Sequence, residues 1–174
     1  MSSQVAPASV LAFLNQLFSM FDRLADDLGL ERVKTIGDAY MAVAGIPRPA
    51  PDHAAIAATF ALAVRDEVVR WHMPTGARVV LRIGLHSGPV IAGVVGQARP
   101  HYDLWGDVVN VASRMESQAQ PGTIQITSAL RQRLSSRFRC EARGSVDVRG
   151  RGAMDVFLLL DRDGPSREGF HHAQ

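Results

Sequence analysis

Hydrophobic residues recur at helical spacing near the start of the chain. Apolar side chains from Val10 to Leu28 form one wide face, and Gly29 supplies a C-terminal stop. With Ser9 as the expected N-cap, the pattern predicts an amphipathic helix over residues 9–28. Its apolar face indicates packing against a core.

Two short apolar runs then flank a Gly37-Asp38 pair in residues 32–45, which read R-V-K-T-I-G-D-A-Y-M-A-V-A-G. Strand-like runs on either side of a Gly/Asp pair are typical of a β-hairpin. The hairpin would carry Lys34 on one strand and Asp38 at its turn. Taken alone, these residues require no function, because Gly and Asp favour turns for backbone reasons.

The rest of the chain alternates between helical and strand-like patterns. An alanine-rich helix over 52–71 begins at Asp52, and Ser128 is expected to cap a helix that ends near residue 136. A further helix is predicted at 107–118, and strands at 79–86, 90–95, 123–127, 138–142, 145–148 and 156–160, whereas 98–103 is expected to be irregular. Hairpins mixed with helices predict an α+β fold, in which helices pack on a mostly antiparallel sheet.

Composition narrows the functional classes. At 174 residues the chain is expected to form one domain, and its net charge of +2 is too small and scattered to indicate a nucleic acid polymer as partner. The single cysteine, Cys140, excludes an intrachain disulfide. No apolar run reaches the roughly 20 residues that span a bilayer, so we expect no membrane insertion by this segment. We expect a cytoplasmic location, and a larger or membrane-anchored parent protein stays possible.

A second informative stretch covers residues 102–116 and reads Y-D-L-W-G-D-V-V-N-V-A-S-R-M-E. Asn110 and Arg114 are four residues apart on the predicted helix and therefore share a face. An amide beside a guanidinium can orient a sugar and pair with phosphate. An exposed pair of this kind is more often only a solvated helix face.

Three segments together resemble the catalytic domain of class III nucleotidyl cyclases: K-T-I-G-D-A-Y-M, R-I-G-L-H-S-G-P-V and the stretch at 102–116. The later V-D-V-R-G-R-G is similar to the loop that ends that domain. The resemblance runs from Val10 to Leu160. It implies a ferredoxin-like, palm-type fold, with a cyclase catalytic domain over residues 1–160 and a polar C-terminal tail over 161–174.

The resemblance implies a role for each matched residue. Lys34 and Asp103 would select the base, because an ammonium donates to an adenine ring nitrogen and a carboxylate accepts from the exocyclic amino group. Guanine presents the opposite pattern, so ATP is expected rather than GTP. Asn110 would hold the ribose, and Arg114 would stabilise charge on the reacting phosphate.

The resemblance also implies a cofactor and a partner. Asp38 would be one of two aspartates that bind two divalent cations, Mg²⁺ or Mn²⁺. In-line attack of the ribose 3′-hydroxyl on the α-phosphate would then yield cyclic AMP and pyrophosphate. Sites of this family lie between two subunits: the metal aspartates and the base-selecting pair of one subunit face the asparagine and arginine of the other. A chain that carries both sets of residues is expected to form a homodimer.

Two departures from the family pattern stand out. The late loop has Arg149 where a phosphate-binding lysine is usual, with Arg151 as a second candidate. The family's first strand, with the other metal aspartate, is expected before the helix at 9–28, yet the eight residues there are not acidic. The explanations left open are a shortened protein, an omitted N-terminal segment, or a gene that lost catalysis.

Two other functions are alternatives to an adenylate cyclase. One is a catalytically impaired nucleotide-binding or regulatory module on the same fold, which the unmatched first aspartate would favour. The other is a diguanylate cyclase or polymerase-like palm domain. That alternative requires a Gly-Gly-Asp/Glu-Glu-Phe-type turn, which the sequence lacks.

Overall fold

The computed structural model describes residues 6–98, 100–148 and 150–163. Four helices and eight strands follow one another in these residues: α1 (Pro7–Leu28), β1 (Glu31–Ile36), β2 (Ala39–Val43), α2 (His53–Val68), β3 (Ile83–Leu85), β4 (Ile91–Val95), β5 (His101–Trp105), α3 (Asp107–Ser117), β6 (Ile124–Thr127), α4 (Ser128–Arg131), β7 (Phe138–Val148) and β8 (Gly152–Arg162). None of the helices in these ranges combines the length and apolarity needed to cross a membrane.

The centre of the fold is a four-stranded sheet in the order β3-β6-β8-β7. Strand β6 pairs in parallel with β3 and antiparallel with β8, and β7 is antiparallel to β8. All four residues of β6 are buried. The mixed, mostly antiparallel sheet with packed helices confirms the predicted α+β class.

The helices cover the sheet on both faces. Ile124 and Ile126 of β6 join a core cluster with α2, whose alanines Ala54, Ala58 and Ala61 permit close approach. Gln125, between them, faces the other way and contacts Met115 of α3. Helix α1 packs separately against α2 and the segment before β3 through an aromatic cluster.

Strand β3 and helix α3 lie in unusually close contact at Gly84. A Cβ atom added there would lie 2.1 Å from the backbone nitrogen of Glu116 and 2.5 Å from the carbonyl oxygen of Ala112. Since both neighbours are backbone atoms, they cannot rotate away. A glycine is therefore required for α3 to pack against this strand.

Two hairpins lie outside the four-stranded sheet. Hairpin β1–β2 turns at Gly37, whose φ is 61°, and hairpin β4–β5 is also antiparallel. Within the described residues, neither hairpin shares ladder hydrogen bonds with the four-stranded sheet. Contacts of its side chains must therefore help to position hairpin β1–β2.

An open cavity of about 490 Å³ is lined by residues of β2 and β3, among them Met41 and Leu85.

Several predicted helix ends were wrong. Helix α1 begins at Pro7 after Ala6, not at Ser9, because proline is tolerated in the first turn of a helix. Helix α4 ends at Arg131, and its N-cap is Thr127 rather than Ser128. The Thr127 side chain accepts from the backbone N–H of Leu130.

Several predicted strands also differ. The region expected to be irregular contains β5, which forms because residues 101–105 pair with β4. The strand expected at 79–86 is only Ile83–Leu85. The separate strands expected at 138–142 and 145–148 form one strand, β7, with an irregularity between Ala142 and Gly144. Its partner β8 is longer than predicted for the same reason, since each strand supplies the other's ladder.

Candidate active site

The structure brings Lys34 and Asp103 into direct contact, although 69 residues separate them in sequence. Lys34 lies on β1 and Asp103 on β5, and Lys34 Nζ donates to Asp103 Oδ2 at 2.6 Å. Gly93 lies directly opposite Asp103 on β4. Because glycine has no side chain, β4 contributes none beside Asp103 at this position.

Asp103 is oriented by its own backbone as well as by the lysine. Its Oδ1 accepts from the N–H of Leu104 at 2.8 Å. The Asp103 side chain is 13% exposed and that of Lys34 is 37% exposed, so the pair is partly accessible to solvent. A fixed donor beside a fixed acceptor can recognise a planar ring that presents an acceptor beside a donor.

Asp38 occupies the turn of the same hairpin and is exposed. Carboxylate oxygens are the ligands that Mg²⁺ prefers. In the described ranges, no three His, Cys, Asp or Glu side chains come together as ligands of one metal ion. The role of Asp38 as a metal ligand stays a prediction.

Asn110 and Arg114 both lie on the exposed side of α3. Val111 and Met115 of the same helix are fully buried against Val148 and Val156, which fixes the helix orientation. The prediction that Asn110 and Arg114 share one exposed face of the helix is therefore confirmed. Lys34 and Asp103 are the pair of predicted site residues that the described side chains show in direct contact.

The late loop carries two arginines, Arg149 and Arg151. Arg149 lies outside the described residues. Arg151 forms an ion pair with Asp107, in the first turn of α3. This contact connects the β7–β8 turn with the start of the helix that carries Asn110 and Arg114.

Two histidines near this region were not predicted as functional. His86 Nδ1 lies 2.8 Å from Thr127 Oγ1, and burial, followed by the nearby Arg151 charge, lowers the pKa of His86 below its ordinary value of 6.5. His53 Nδ1 lies 3.1 Å from the carbonyl oxygen of Ala50. Since that oxygen can only accept, Nδ1 donates.

Ser87 is the second partner of His53. Its Oγ lies 2.9 Å from His53 Nε2, which accepts when Nδ1 carries the proton. Both residues line the cavity between β2 and β3. Ser87 lies in the R-I-G-L-H-S-G-P-V segment that carries the family resemblance, but nothing in the sequence predicted its contact with His53.

A third unpredicted group connects hairpin β1–β2 with α1. The Tyr40 hydroxyl donates to Asp22 Oδ1 at 2.8 Å, and Arg32 Nη1 donates to Asp22 Oδ2 at 2.9 Å. Burial, and then the hydrogen bond to Asp22, raise the pKa of Tyr40 above its ordinary value. The sequence offered no periodic signal for a contact between a helix and a hairpin.

Comparison with known proteins places these residues in context. The family described as adenylate and guanylate cyclase catalytic domain matches residues 1–161. An adenylate cyclase of Mycobacterium tuberculosis is 47% identical over 161 residues, which are 92% of this chain and 36% of that protein. The human guanylate cyclase soluble subunit beta-2 is 42% identical over 156 residues, 88% of this chain and 25% of that protein.

A solved structure shows the same architecture. The guanylate cyclase domain of RhGC from Catenaria anguillulae, in complex with GTP, is 40% identical with a TM-score of 0.88. The match covers 92% of this chain and 88% of that chain. The palm-type arrangement expected from the sequence is therefore confirmed, while the chain spans about a third or less of the length of the curated relatives given above.

Proposed function

The chain belongs to the family of adenylate and guanylate cyclase catalytic domains, and on that premise we propose that it converts ATP to cyclic AMP and pyrophosphate. The observation that carries this proposal is the 2.6 Å contact between Lys34 and Asp103. The two residues expected to select the base lie on different hairpins. Their contact forms one donor-acceptor pair.

The chemistry of that pair favours adenine. An ammonium only donates hydrogen bonds, and an ionised carboxylate only accepts them. The adenine edge offers a ring nitrogen acceptor beside an amino donor, which complements Lys34 and Asp103 respectively. Guanine presents an N–H and a carbonyl oxygen at these positions, so both contacts would be mismatched, and buried mismatches discriminate strongly.

The relatives alone do not indicate whether this chain uses ATP or GTP. One relative is named an adenylate cyclase and another a guanylate cyclase, at 47% and 42% identity. The Lys34–Asp103 pair is therefore the feature of this chain that supports ATP. In the same proposal Asn110 binds the ribose, and Arg114 stabilises the negative charge of the phosphate during in-line attack by the 3′-hydroxyl.

A homodimer would place these groups around one nucleotide. Arg114 is exposed on α3 rather than buried beside Lys34. Hairpin β4–β5, which carries Asp103, exposes Ile91, Val94, Val95 and Trp105. Apolar residues grouped on one hairpin are typical of an interface, and a second copy of the chain is the proposed occupant.

The remaining parts of the proposal concern phosphate and metal. Asp38 is the proposed ligand of one of two divalent cations, Mg²⁺ or Mn²⁺, which when bound would neutralise phosphate charge. Arg149 is the proposed contact of the terminal phosphates. The proposed catalytic domain spans residues 1–160.

A cyclase assay tests the proposal. Purified protein is incubated with ATP or GTP and with Mn²⁺ or Mg²⁺, and cyclic nucleotide is measured. We expect cyclic AMP and much less cyclic GMP. The variant Lys34→Glu/Asp103→Asn should reverse this preference, because the glutamate accepts from the guanine ring N–H and the amide donates to its carbonyl. A double variant that keeps the full preference for ATP would show that the base-pairing roles are wrong.

Mixing two impaired variants tests the shared site. Asp38→Ala and Arg114→Ala proteins are each expected to lose about a hundredfold or more in turnover, and mixed dimers should regain activity through one intact site. Mixed dimers that form without activity would contradict a site shared between subunits. Arg70→Ala, in an exposed pair with Glu67 away from these residues, is the control.

A second candidate function is a nucleotide-binding or regulatory domain without catalysis. It is favoured by one observation, that the described side chains contain no cluster of three metal ligands. ATP binding without cyclic AMP formation, at high protein concentration with Mn²⁺, would support this function and contradict the first.

A further inference from the structure

Hairpin β1–β2 is connected to the rest of the described residues at two carboxylates. Side chains of the hairpin donate hydrogen bonds to both: Lys34 donates to Asp103, whereas Arg32 and Tyr40 donate to Asp22. Asp103 lies on β5 and Asp22 on α1. Because the hairpin has no ladder bonds to the four-stranded sheet in these residues, these side-chain bonds and the packing of the Tyr40 ring hold it in place.

Asp22 connects both strands of the hairpin at once. Its Oδ2 pairs with Arg32 on β1, and its Oδ1 accepts from Tyr40 on β2. The Arg32 guanidinium also lies 5.9 Å from the centre of the Tyr40 ring. One helix residue therefore resists both sliding and rotation of the hairpin relative to α1.

The Tyr40 ring is itself enclosed by aromatic side chains. Its centroid lies 5.8 Å from that of Phe18, 5.3 Å from that of Phe21 and 6.3 Å from that of Phe60. Phe18 and Phe21 belong to α1 and Phe60 to α2. The ring packing positions Tyr40 among the helices, and the hydroxyl adds a directional bond to that packing.

Base binding would place different demands on the two carboxylates. If Lys34 and Asp103 both contact the base, as the proposed function requires, each must share or give up the bond that now joins them. The hairpin would then depend on Asp22, together with the packing of the Tyr40 ring, to keep the Lys34 ammonium in register with Asp103. A lysine side chain has four flexible methylene groups, so its reach is accurate only when its backbone is held.

We propose that Asp22, Arg32 and Tyr40 form an anchor that positions Lys34 for base selection. None of the three is proposed to touch the nucleotide, so they are positioning residues, and the inference rests on the proposed reading of adenine by Lys34 and Asp103. Loss of the anchor lets the hairpin shift. A shifted Lys34 donates less well to adenine and opposes guanine less strongly.

Affinity measurements with two variants test the anchor. Tyr40→Phe keeps the ring packing and removes the hydroxyl, and Asp22→Asn keeps the acceptor for Tyr40 but removes the charge that pairs with Arg32. We expect each to reduce the ratio of ATP to GTP affinity by about threefold to tenfold, the effect of one hydrogen bond. Binding is measured by calorimetry for both nucleotides.

A matched substitution controls for the loss of a tyrosine hydroxyl. The Tyr102 hydroxyl is buried without a hydrogen-bond partner among the described residues. Tyr102→Phe should therefore leave the affinity ratio unchanged. If Tyr40→Phe and Asp22→Asn keep the wild-type ratio while the wild-type protein prefers ATP, the anchor is wrong and the proposed function stands.

A second measurement needs no nucleotide, so it tests the anchor separately from the proposed base selection. Amide hydrogen exchange in residues 31–43 should be faster in Tyr40→Phe than in Tyr102→Phe or the wild-type protein. A wild-type protein without preference for ATP contradicts the proposed base reading, and this exchange then decides whether the anchor exists. Unchanged exchange in Tyr40→Phe overturns it. Thermal unfolding identifies any variant that has lost its fold rather than its hairpin position.

Discussion

The four-stranded sheet and hairpin β1–β2 are held by different forces. In the sheet, Ile124, Ile126 and Leu159 are at most 1% exposed and pack against α2. In the hairpin, Ile36 is 62% exposed and Asp38 is exposed at the turn. Apolar burial stabilises the sheet, whereas side-chain hydrogen bonds and the ring of Tyr40 position the hairpin.

This difference separates stability from proposed chemistry. Lys34 and Asp38 lie on the hairpin, and Asn110 and Arg114 lie on the exposed side of α3, so these candidate site residues contribute little to the core. Regions with few buried contacts open and move most easily. A substitution in the sheet should therefore unfold the protein, and one in the candidate site should change activity while the fold is retained.

Gly84→Ala should produce the largest effect, on the sheet side of the comparison. The added methyl group would lie 2.1 Å from the backbone nitrogen of Glu116, so α3 would have to move away from β3. We expect a loss of at least about 4 kcal/mol in the free energy of unfolding, measured by urea denaturation. Gly93→Ala is the control, because its Cβ would make an ordinary 3.6 Å contact with Trp105. Equal stability of the two variants would contradict the close packing.

Leu130→Ala should cost about 3 kcal/mol of unfolding free energy, because it leaves a cavity in the core beneath α2. Leu130 is 1% exposed, whereas Ile36 on the hairpin is 62% exposed. Ile36→Ala should therefore cost less than about 0.5 kcal/mol. Denaturation of both variants measures the contrast directly, and similar costs would show that the hairpin is part of the core.

Arg114→Ala should change the activity of the protein rather than its stability. Since the side chain is exposed, the free energy of unfolding should change by less than about 0.5 kcal/mol. Turnover of ATP should fall about a hundredfold, because the charge that stabilises the reacting phosphate is lost. Steady-state kinetics and denaturation on the same sample check both parts. Arg139→Ala, another exposed arginine, serves as the control.

The smallest predicted effect is a pH dependence at the end of β3. The folded-state pKa of His86 lies below its ordinary value, chiefly through burial and then through Arg151. The native state therefore favours neutral His86, so stability is fully present above pH 6.5 and falls at lower pH as the unfolded chain takes up a proton.

Denaturation measured across that pH range tests whether stability falls on acidification as predicted. His86→Gln should lose less stability than the wild-type protein on acidification, and the difference in slope cannot exceed about 1.4 kcal/mol per pH unit for one group. Arg151→Ala should show a weaker dependence than wild type, because removal of the positive charge returns the pKa of His86 toward its ordinary value. A slope that His86→Gln does not change would assign the titration to another group.

Local pattern in the sequence was sufficient for the hairpin turn and for α3. Gly37 and Asp38 specify a turn through backbone preference, and the spacing of Val111 and Met115 places Asn110 and Arg114 on the opposite face. These features depend on neighbours within a few residues. The family resemblance then supplied the pairing of Lys34 with Asp103, which no local pattern contains.

The tertiary structure decided the features that depend on distant residues. Strand β5 exists because β4 pairs with it, and β7 is continuous because β8 is its partner along the whole length. The contacts of Asp22 with Arg32 and Tyr40 join a helix to both strands of a hairpin. Short-range periodicity records which face of an element is apolar, but it carries no information on which elements meet, because long-range packing alone determines that choice.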